Sequence, residues 1–120
     1  MLIRYKNNFE KIAMGLLSFM PRKKDVKNLQ QTIKQYELDE DWNLYLWREE
    51  DSFLGAIGIR IIDGMSVIIQ HVTVDPSHRN QGIGRKMVNS IRDKYGQKYE
   101  IIADEQVKDF YQKCLEKNDL

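Results

Sequence analysis

The sequence predicts an α/β (α+β) fold in which strands and helices follow in the order β-α-α-β-β-β-α-β-α. Two segments with apolar residues at helical spacing come early in the chain. Residues 42–74 then alternate as strands do, and a glycine-bearing loop leads from them into another amphipathic helix. A chain of 120 residues suits one hydrophobic core, so we expect a single domain over residues 1–120.

The N-terminal part predicts one short strand and two helices. Residues 2–5 can form the strand. An amphipathic helix then ends at Pro21, and its apolar stripe consists of Phe9, Ile12, Ala13, Leu16, Leu17 and Met20. Asp25 is placed to cap a second helix, because its carboxylate can accept hydrogen bonds from the first unpaired backbone N–H groups. The turns of that helix are marked by Val26, Leu29, Ile33 and Tyr36 or Glu37.

The middle of the chain predicts three antiparallel strands. Residues 42–47 and 53–61 read as the first two, joined by a turn at residues 49–52. Asp63-Gly64 follows, and this dipeptide favours the tight type I′ turn of a β-hairpin. Residues 67–74 then form the third strand of a meander.

The last third predicts a helix, a short strand and a final helix. The first of these helices runs from Gly82 to about Tyr95, and residues 99–103 form the strand. Asp104 can cap the final helix. That helix carries Val107, Phe110, Tyr111 and Leu115.

The segment QHVTVDPSHRNQGIGRKM, residues 70–87, carries most of the functional information. Its strand stops at Asp75-Pro76, and its helix begins near Gly82 and Gly84. The unpaired N–H groups at a helix N-terminus and the positive end of the helix dipole favour an anion such as a pyrophosphate. The sequence therefore predicts an anion-binding loop here.

Two familiar phosphate loops do not fit this segment. A P-loop needs Gly-Lys-Ser/Thr, but Gly84 is followed by Arg85, Lys86 and Met87, so no hydroxyl is placed for magnesium. The dinucleotide fingerprint G-x-G-x-x-G needs a third glycine, and Met87 occupies its place.

The hexapeptide RNQGIG, residues 79–84, is an R-x-x-G-x-G loop that resembles the acetyl-CoA loop of the GNAT superfamily of N-acetyltransferases. The resemblance covers essentially the whole chain and implies a GNAT fold, a mixed, mostly antiparallel sheet flanked by helices. It also implies acetyl-CoA as the cofactor, held by Val72, Thr73, Val74, Arg79, Asn80, Gln81, Gly82, Ile83, Gly84 and Arg85. Asn80 stands where many relatives have glycine, but asparagine tolerates left-handed backbone angles. The alternative is an ordinary loop between strand and helix.

The same resemblance supplies the catalytic candidates, because GNAT enzymes pass acetyl directly from acetyl-CoA to an amine. The segment FYQK, residues 110–113, resembles the family's Phe-Tyr-x-Lys, whose tyrosine commonly protonates the leaving thiolate. Tyr111 is therefore the predicted general acid, and its alternative role is to pack against the sheet, as we expect of Phe110. A backbone N–H in residues 72–74 would stabilise the acyl oxygen.

The general base has a weaker sequence signal. Relatives often carry a glutamate on a central strand, where this chain has Gln70 and His71. His71 is the candidate, because histidine has an ordinary pKa of about 6.5, although a strand histidine also serves as a hydrogen-bonded structural residue. Asp104 stands where many relatives have an asparagine that touches the pantetheine arm of CoA, and its alternative role is to cap the final helix.

The chain also resembles small GNAT-like proteins encoded with riboflavin-biosynthesis enzymes in some bacteria. This resemblance rests on the opening MLIRYKNNFEKIAMGLLSFMP, on HVTVDPSHRNQGIG and on the short C-terminus. It links the acceptor, a small-molecule amine or a protein amine, to riboflavin metabolism. The usual GNAT fold continues into a further β-hairpin, whereas this chain ends at Leu120, so we expect either an exposed sheet edge or a homodimer that covers it.

Composition argues against several other classes of function. The formal net charge is +1, so no overall field favours nucleic acid or an anionic membrane. Cys114 is the only cysteine, and His71 and His78 stand alone, so we expect no disulfide and no metal site. Early charges argue against a signal peptide and no apolar run approaches about 20 residues, so we expect a cytoplasmic protein. The rival to an enzyme is a catalytically weak GNAT-fold module that binds CoA for regulation or assembly.

Overall fold

A computed structural model describes residues 1–20 and 25–116 of the chain. Within these residues one sheet of five strands is flanked by four α-helices, in the predicted order. The strands are β1 (Leu2–Arg4), β2 (Trp42–Glu49), β3 (Ser52–Ile62), β4 (Ser66–Val74) and β5 (Glu100–Ala103). The helices are α1 (Glu10–Leu17), α2 (Val26–Leu38), α3 (Ile83–Tyr95) and α4 (Lys108–Glu116). The predicted helix end at Pro21 and the chain end at Leu120 lie outside the described residues.

The strands lie in the sheet in chain order, β1-β2-β3-β4-β5. The first three pairings are antiparallel, and β4 pairs with β5 in parallel. The predicted mixed, mostly antiparallel sheet is thus confirmed. Among the described residues β5 is an edge strand, and its contacts with β4 run only from Ser66↔Glu100 to Ile69↔Ala103.

Two glycines of β3 show that the helices cover both faces of the sheet. A Cβ at Gly55 would crowd the Met87 side chain of α3, and a Cβ at Gly58 would overlap the Tyr36 ring of α2. Residues three apart on a strand point to opposite faces. The α2 and α3 helices therefore cover opposite faces, and the core has a layer on each side of the sheet.

The core is apolar on both of these faces. Its largest fully buried side chains include Leu17, Ile33, Leu46, Ile57, Ile59, Ile69, Met87 and Ile91. Two residues of the predicted helical stripes do not belong to it, since Ile12 is 38% exposed and Val26 is 59% exposed. Ile12 stands about 100° around the helix from the buried Ala13, and Val26 is the first residue of α2, one turn before its first buried residue, Leu29.

Local signals in the sequence are confirmed as turns and caps. The Asp25 carboxylate accepts from the Lys27 N–H at 2.9 Å and starts α2. Asp63 and Gly64 have φ angles of 54° and 64°, as a type I′ hairpin turn requires. The Asp104 carboxylate accepts from the Gln106 N–H at 3.2 Å and so caps the 3-10 turn Glu105–Val107 that precedes α4. None of the helices among the described residues is long and apolar enough to span a membrane.

Candidate functional site

A β-bulge in β4 shapes the centre of the site. Gly58 of β3 pairs with His71, but the next residue, Ile59, pairs with Ile69, so Gln70 is an extra residue in β4. A bulge of this kind re-aims the side chains on its strand. Gln70 and His71 consequently both line the cavity on the α2 side of the sheet, although they are neighbours in sequence.

Beyond the bulge, β4 leaves β5, and no strand among the described residues pairs with this edge of β4, which is therefore open there. The Asp104 N–H donates to the Ile69 carbonyl at 2.9 Å, just after the final β4–β5 pair. Further along β4, the Asp75 N–H donates to Leu54 of β3 at 2.8 Å. The preceding Val74 must therefore point its own N–H and C=O away from β3, as must Val72 two residues earlier.

The loop between β4 and α3 encloses a cavity of about 490 Å³. Asn80 and Gly82 have φ angles of 65° and 80°, so Asn80 adopts the left-handed angles that asparagine tolerates. Gly82 stands at the N-cap position of α3, where the unpaired N–H groups of a helix N-terminus begin. The lining includes Val74, Asn80, Gly82 and Gly84, together with three basic residues, Arg79, Arg85 and Lys113, and one acidic residue, Glu116. The arrangement suits a ligand that carries several negative charges.

Gly84 allows α4 to pack on the start of α3. A Cβ at this position would overlap the ring of Phe110. Phe110, which we expected to pack against the sheet, is partly buried against the core. Its ring also lies over Gly84, where both residues line the loop cavity.

A second, polar cavity of about 430 Å³ lies on the α2 side of the sheet. One wall is a stripe of uncharged polar residues along α2: Asn28, Gln31, Thr32 and Gln35. The opposite wall comes from the sheet and the end of β5 and consists of Trp42, Arg60, Gln70, His71, Asp104 and Gln106. The sheet therefore separates this cavity from the α3 helix that borders the loop cavity.

Tyr36 connects α2 to the bulge through its hydroxyl group. Gln70 Nε2 donates to the hydroxyl oxygen at 2.9 Å, and the same oxygen lies 2.5 Å from His71 Nδ1. Burial raises the pKa of Tyr36 well above its ordinary value, so the phenol stays protonated at neutral pH. Trp42 completes the cluster, with its ring 5.0 Å from the Tyr36 ring and 6.4 Å from the His71 ring between centroids.

The two predicted catalytic residues lie in different places. His71 is buried at the polar cavity, whereas Tyr111 lines a third cavity of about 820 Å³ beside the second half of α3, with Arg92 and Tyr99. Tyr111 also packs against the core, which is the alternative role considered for it. The structure does not bring Tyr111 into the loop cavity or the polar cavity.

The predicted cofactor residues separate into two groups. Val74, Arg79, Asn80, Gly82, Ile83, Gly84 and Arg85 line the loop cavity together. Val72 and Thr73 are buried in β4, and Gln81 is exposed on the loop. Asp104 lines the polar cavity, where it also caps the 3-10 turn before α4.

Arg60 and Tyr36 are part of the site, and sequence reasoning did not assign either to it. Arg60 interrupts the apolar run FLGAIGIRII of β3, and a charge inside such a run is a signal that could have been used. Tyr36 gives no such signal, because its partner His71 is 35 residues away in the chain. No group of three or more His, Cys, Asp or Glu side chains that could hold a metal ion occurs in the described part of the chain.

The fold and the first two of these cavities define a class: a small α+β domain whose strand β4 runs between a loop cavity lined by basic residues and a polar cavity. Residues 13–115 match the model of the acetyltransferase (GNAT) family. The chain belongs to this family.

Two kinds of relatives are similar to the chain. The protein called "Uncharacterized N-acetyltransferase in lysA 3'region" of Bacillus methanolicus is 56% identical over 114 residues, which are 95% of this chain and 94% of the relative. Among solved structures, AAC(6')-Iy with the bisubstrate analogue CoA-S-monomethyl-acetylneamine has a TM-score of 0.76 at 9% identity, over 98% of this chain and 87% of that one. The apo aminoglycoside 6'-N-acetyltransferase AAC(6')-IG of Acinetobacter haemolyticus has a TM-score of 0.75 at 12% identity, over 98% and 88%. At these low identities, the two structural likenesses show a shared fold and nothing more.

Proposed function

We propose that the protein is an acetyl-CoA-dependent N-acetyltransferase that transfers acetyl directly to an amine. One observation carries the proposal: Val74 and His71 lie three residues apart on β4 and line the loop cavity and the polar cavity respectively. Three residues of strand span roughly 10 Å. A donor in the loop cavity and an acceptor in the polar cavity can therefore meet at the open edge of β4.

The loop cavity is the proposed CoA site, held by the predicted residues 72–74 and 79–85. Arg79, Arg85 and Lys113 supply positive charge for the phosphates, and the start of α3 supplies backbone N–H groups. Bound acetyl-CoA supplies the acetyl group as a thioester. The N–H groups of Val72 and Val74, which face the open edge, are the proposed donors to the acyl oxygen. Asp104, at the end of β5, remains a proposed contact of the pantetheine arm.

Transfer also requires movement of a proton. The amine nitrogen bonds to the acyl carbon as the carbon–sulfur bond breaks, and one amine proton ends on the sulfur. Because an alkyl ammonium has a pKa near 10.4, only about one molecule in 2,500 is neutral at pH 7. His71 is the proposed base, and its lone pair must then be on Nε2. That tautomer has its proton on Nδ1, from which it donates to the Tyr36 hydroxyl oxygen.

A second candidate is a catalytically weak CoA-binding module with a regulatory or assembly role. Two observations favour it. The strand position where relatives often carry a glutamate base has Gln70 beside His71, and glutamine cannot act as a base. Tyr111 lies in a cavity apart from both proposed substrate sites. The proposal that Tyr111 protonates the thiolate stays a prediction.

The setting of the reaction is proposed from resemblance. The opening segment and the loop segment resemble RibT, the small GNAT-like protein encoded with bacterial riboflavin-biosynthesis enzymes, so a cytoplasmic role linked to riboflavin metabolism is part of the proposal. A second copy of the chain paired along β5 is the proposed cover for that edge strand.

Titration with CoA and acetyl-CoA, followed by amine-dependent thiol release over a broad amine panel, tests the proposal. We expect saturable binding of both and turnover with at least one amine. Absence of CoA binding would contradict both the enzyme and the module. Binding without turnover over the whole panel would favour the module.

A further inference from the structure

The polar cavity contains a cationic side chain, Arg60, with a buried hydrogen-bond donor that no described residue satisfies. We propose that the acceptor is a small amine that also carries an anionic oxygen group, a carboxylate or a phosphate, and that Arg60 binds this group. The proposal rests on the acetyltransferase function and names the chemical class of its acceptor.

The position of Arg60 in the sheet directs it to the polar cavity. It pairs with Trp42 of β2 and lies two residues after Gly58, so all three share the face that α2 covers. The side chain is half-buried and lines the cavity. Its guanidinium can present a planar fork of donors to a carboxylate or a phosphate.

The donor atoms of Arg60 are incompletely used by the described residues. Its Nε is buried and has no hydrogen-bond partner among the described residues, and no carboxylate of those residues forms a salt bridge with it. A buried donor without a partner destabilises the folded state. A ligand with anionic oxygens would satisfy it.

The other residues that line the polar cavity favour an amine that also has an anionic group. Asp104 and His71 stand in the same cavity and can face the amino group, while the α2 wall of Asn28, Gln31, Thr32 and Gln35 is uncharged. The cavity of about 430 Å³ lies within the usual range for small-molecule sites, about 300–1,000 Å³. A polycationic acceptor would bring like charge against Arg60. A lysine side chain would leave Arg60 without a partner.

Matched pairs of amines test this assignment in the intact protein with acetyl-CoA. The pairs are 4-aminobutyrate with butylamine and phosphoethanolamine with ethanolamine, which separate the carboxylate from the phosphate. We expect kcat/KM to be at least tenfold higher for the anionic member of one pair, mainly through a lower KM. In Arg60→Gln this preference should fall towards one, and Arg60→Lys should restore part of it. Arg48→Gln is the matched control, because Arg48 lies at the other end of β2 and lines neither cavity.

A binding measurement separates failure of this inference from failure of the proposed function. Trp42 lies in the cavity and Trp47 is the only other tryptophan, so a Trp47→Phe background reports on the cavity by fluorescence. With CoA present, the anionic amines should change the Trp42 signal, and Arg60→Gln should weaken this binding at least tenfold. Such binding without turnover would support the anion site and contradict the enzyme. The inference would be overturned by equal kcat/KM within both pairs, or by turnover of peptide amines alone. It would also be overturned if Arg60→Gln lowered kcat/KM equally for both members of a pair, or if the anionic amines showed neither binding nor preference.

Discussion

The hydroxyl group of Tyr36 on α2 occupies the space that a side chain at Gly58 of β3 would need. Because Gly58 has no Cβ, the phenol reaches Gln70 and His71 on β4, at 2.9 Å and 2.5 Å. The packing of one helix on one strand thus positions the side chains of the polar cavity.

Gly58→Ala should therefore destabilise the protein strongly. The added Cβ would overlap a buried ring, which must move or distort the sheet, and overpacking of this kind costs typically about 1–3 kcal/mol. Urea unfolding measures the change. Gly15→Ala is the matched control, since a Cβ at Gly15 of α1 meets nothing within 4 Å, and we expect it to stabilise by about 0.5–1 kcal/mol. Equal effects of the two substitutions would contradict the packing described for Tyr36.

Gly84→Ala should loosen the contact between α3 and α4. The new Cβ would overlap the Phe110 ring, so we expect a loss of about 1–3 kcal/mol. Phe110→Leu in the same chain should recover part of this loss, because the smaller side chain makes room. A double-mutant cycle measured by unfolding gives the coupling, expected at about 1 kcal/mol or more. Simple additivity would show that the two residues do not pack as described.

Tyr36→Phe should change the dependence of stability on alkaline pH. Burial raises the pKa of Tyr36 in the folded protein, while the unfolded value is about 10. Its contribution to stability is therefore complete below about pH 10 and is lost as the pH rises above that value towards the folded pKa. Relative to wild type, the variant should lose about 1–3 kcal/mol at pH 8 through its missing hydrogen bonds. Above pH 10, its free energy of unfolding should also fall less steeply with pH than that of wild type, by about 1.4 kcal/mol per pH unit. Denaturant unfolding at several pH values measures both, and an unchanged slope would contradict the buried phenol.

Variants of the two catalytic candidates, His71 and Tyr111, should differ in kcat when they are assayed with the amine that wild type acetylates with the highest kcat/KM. His71→Ala should lower kcat at least a hundredfold, since general base catalysis contributes about 10²–10⁴, and should leave the affinity for CoA unchanged. Tyr111→Phe should lower kcat as well if Tyr111 protonates the thiolate. An effect of Tyr111→Phe on stability alone would assign it to packing beside α3. Unchanged kcat in His71→Ala would remove His71 as the base.

Features that depend on neighbouring residues were predictable from the sequence. The caps at Asp25 and Asp104 and the turn at Asp63-Gly64 each follow from a few adjacent residues. The order of elements follows from apolar periodicity in the same way.

Features that depend on pairing between distant segments were not predictable. The bulge at Gln70 exists only as a register difference between β3 and β4. The Tyr36–His71 contact and the placement of Arg60 in the polar cavity need the tertiary fold. For the same reason the sequence could not show that Tyr111 and His71 lie in separate cavities.

The affinity for CoA of two glycine variants tests the central claim most directly. Gly82 and Gly64 both have positive φ angles, of 80° and 64°, and a Cβ at either meets nothing closer than 3.7 Å, so valine should strain both turns alike. Only Gly82 lines the loop cavity. By titration calorimetry we predict that Gly82→Val raises the Kd for CoA at least tenfold, whereas Gly64→Val leaves it at the wild-type value. Unchanged affinity in a folded Gly82→Val protein would contradict the assignment of the loop as the CoA site.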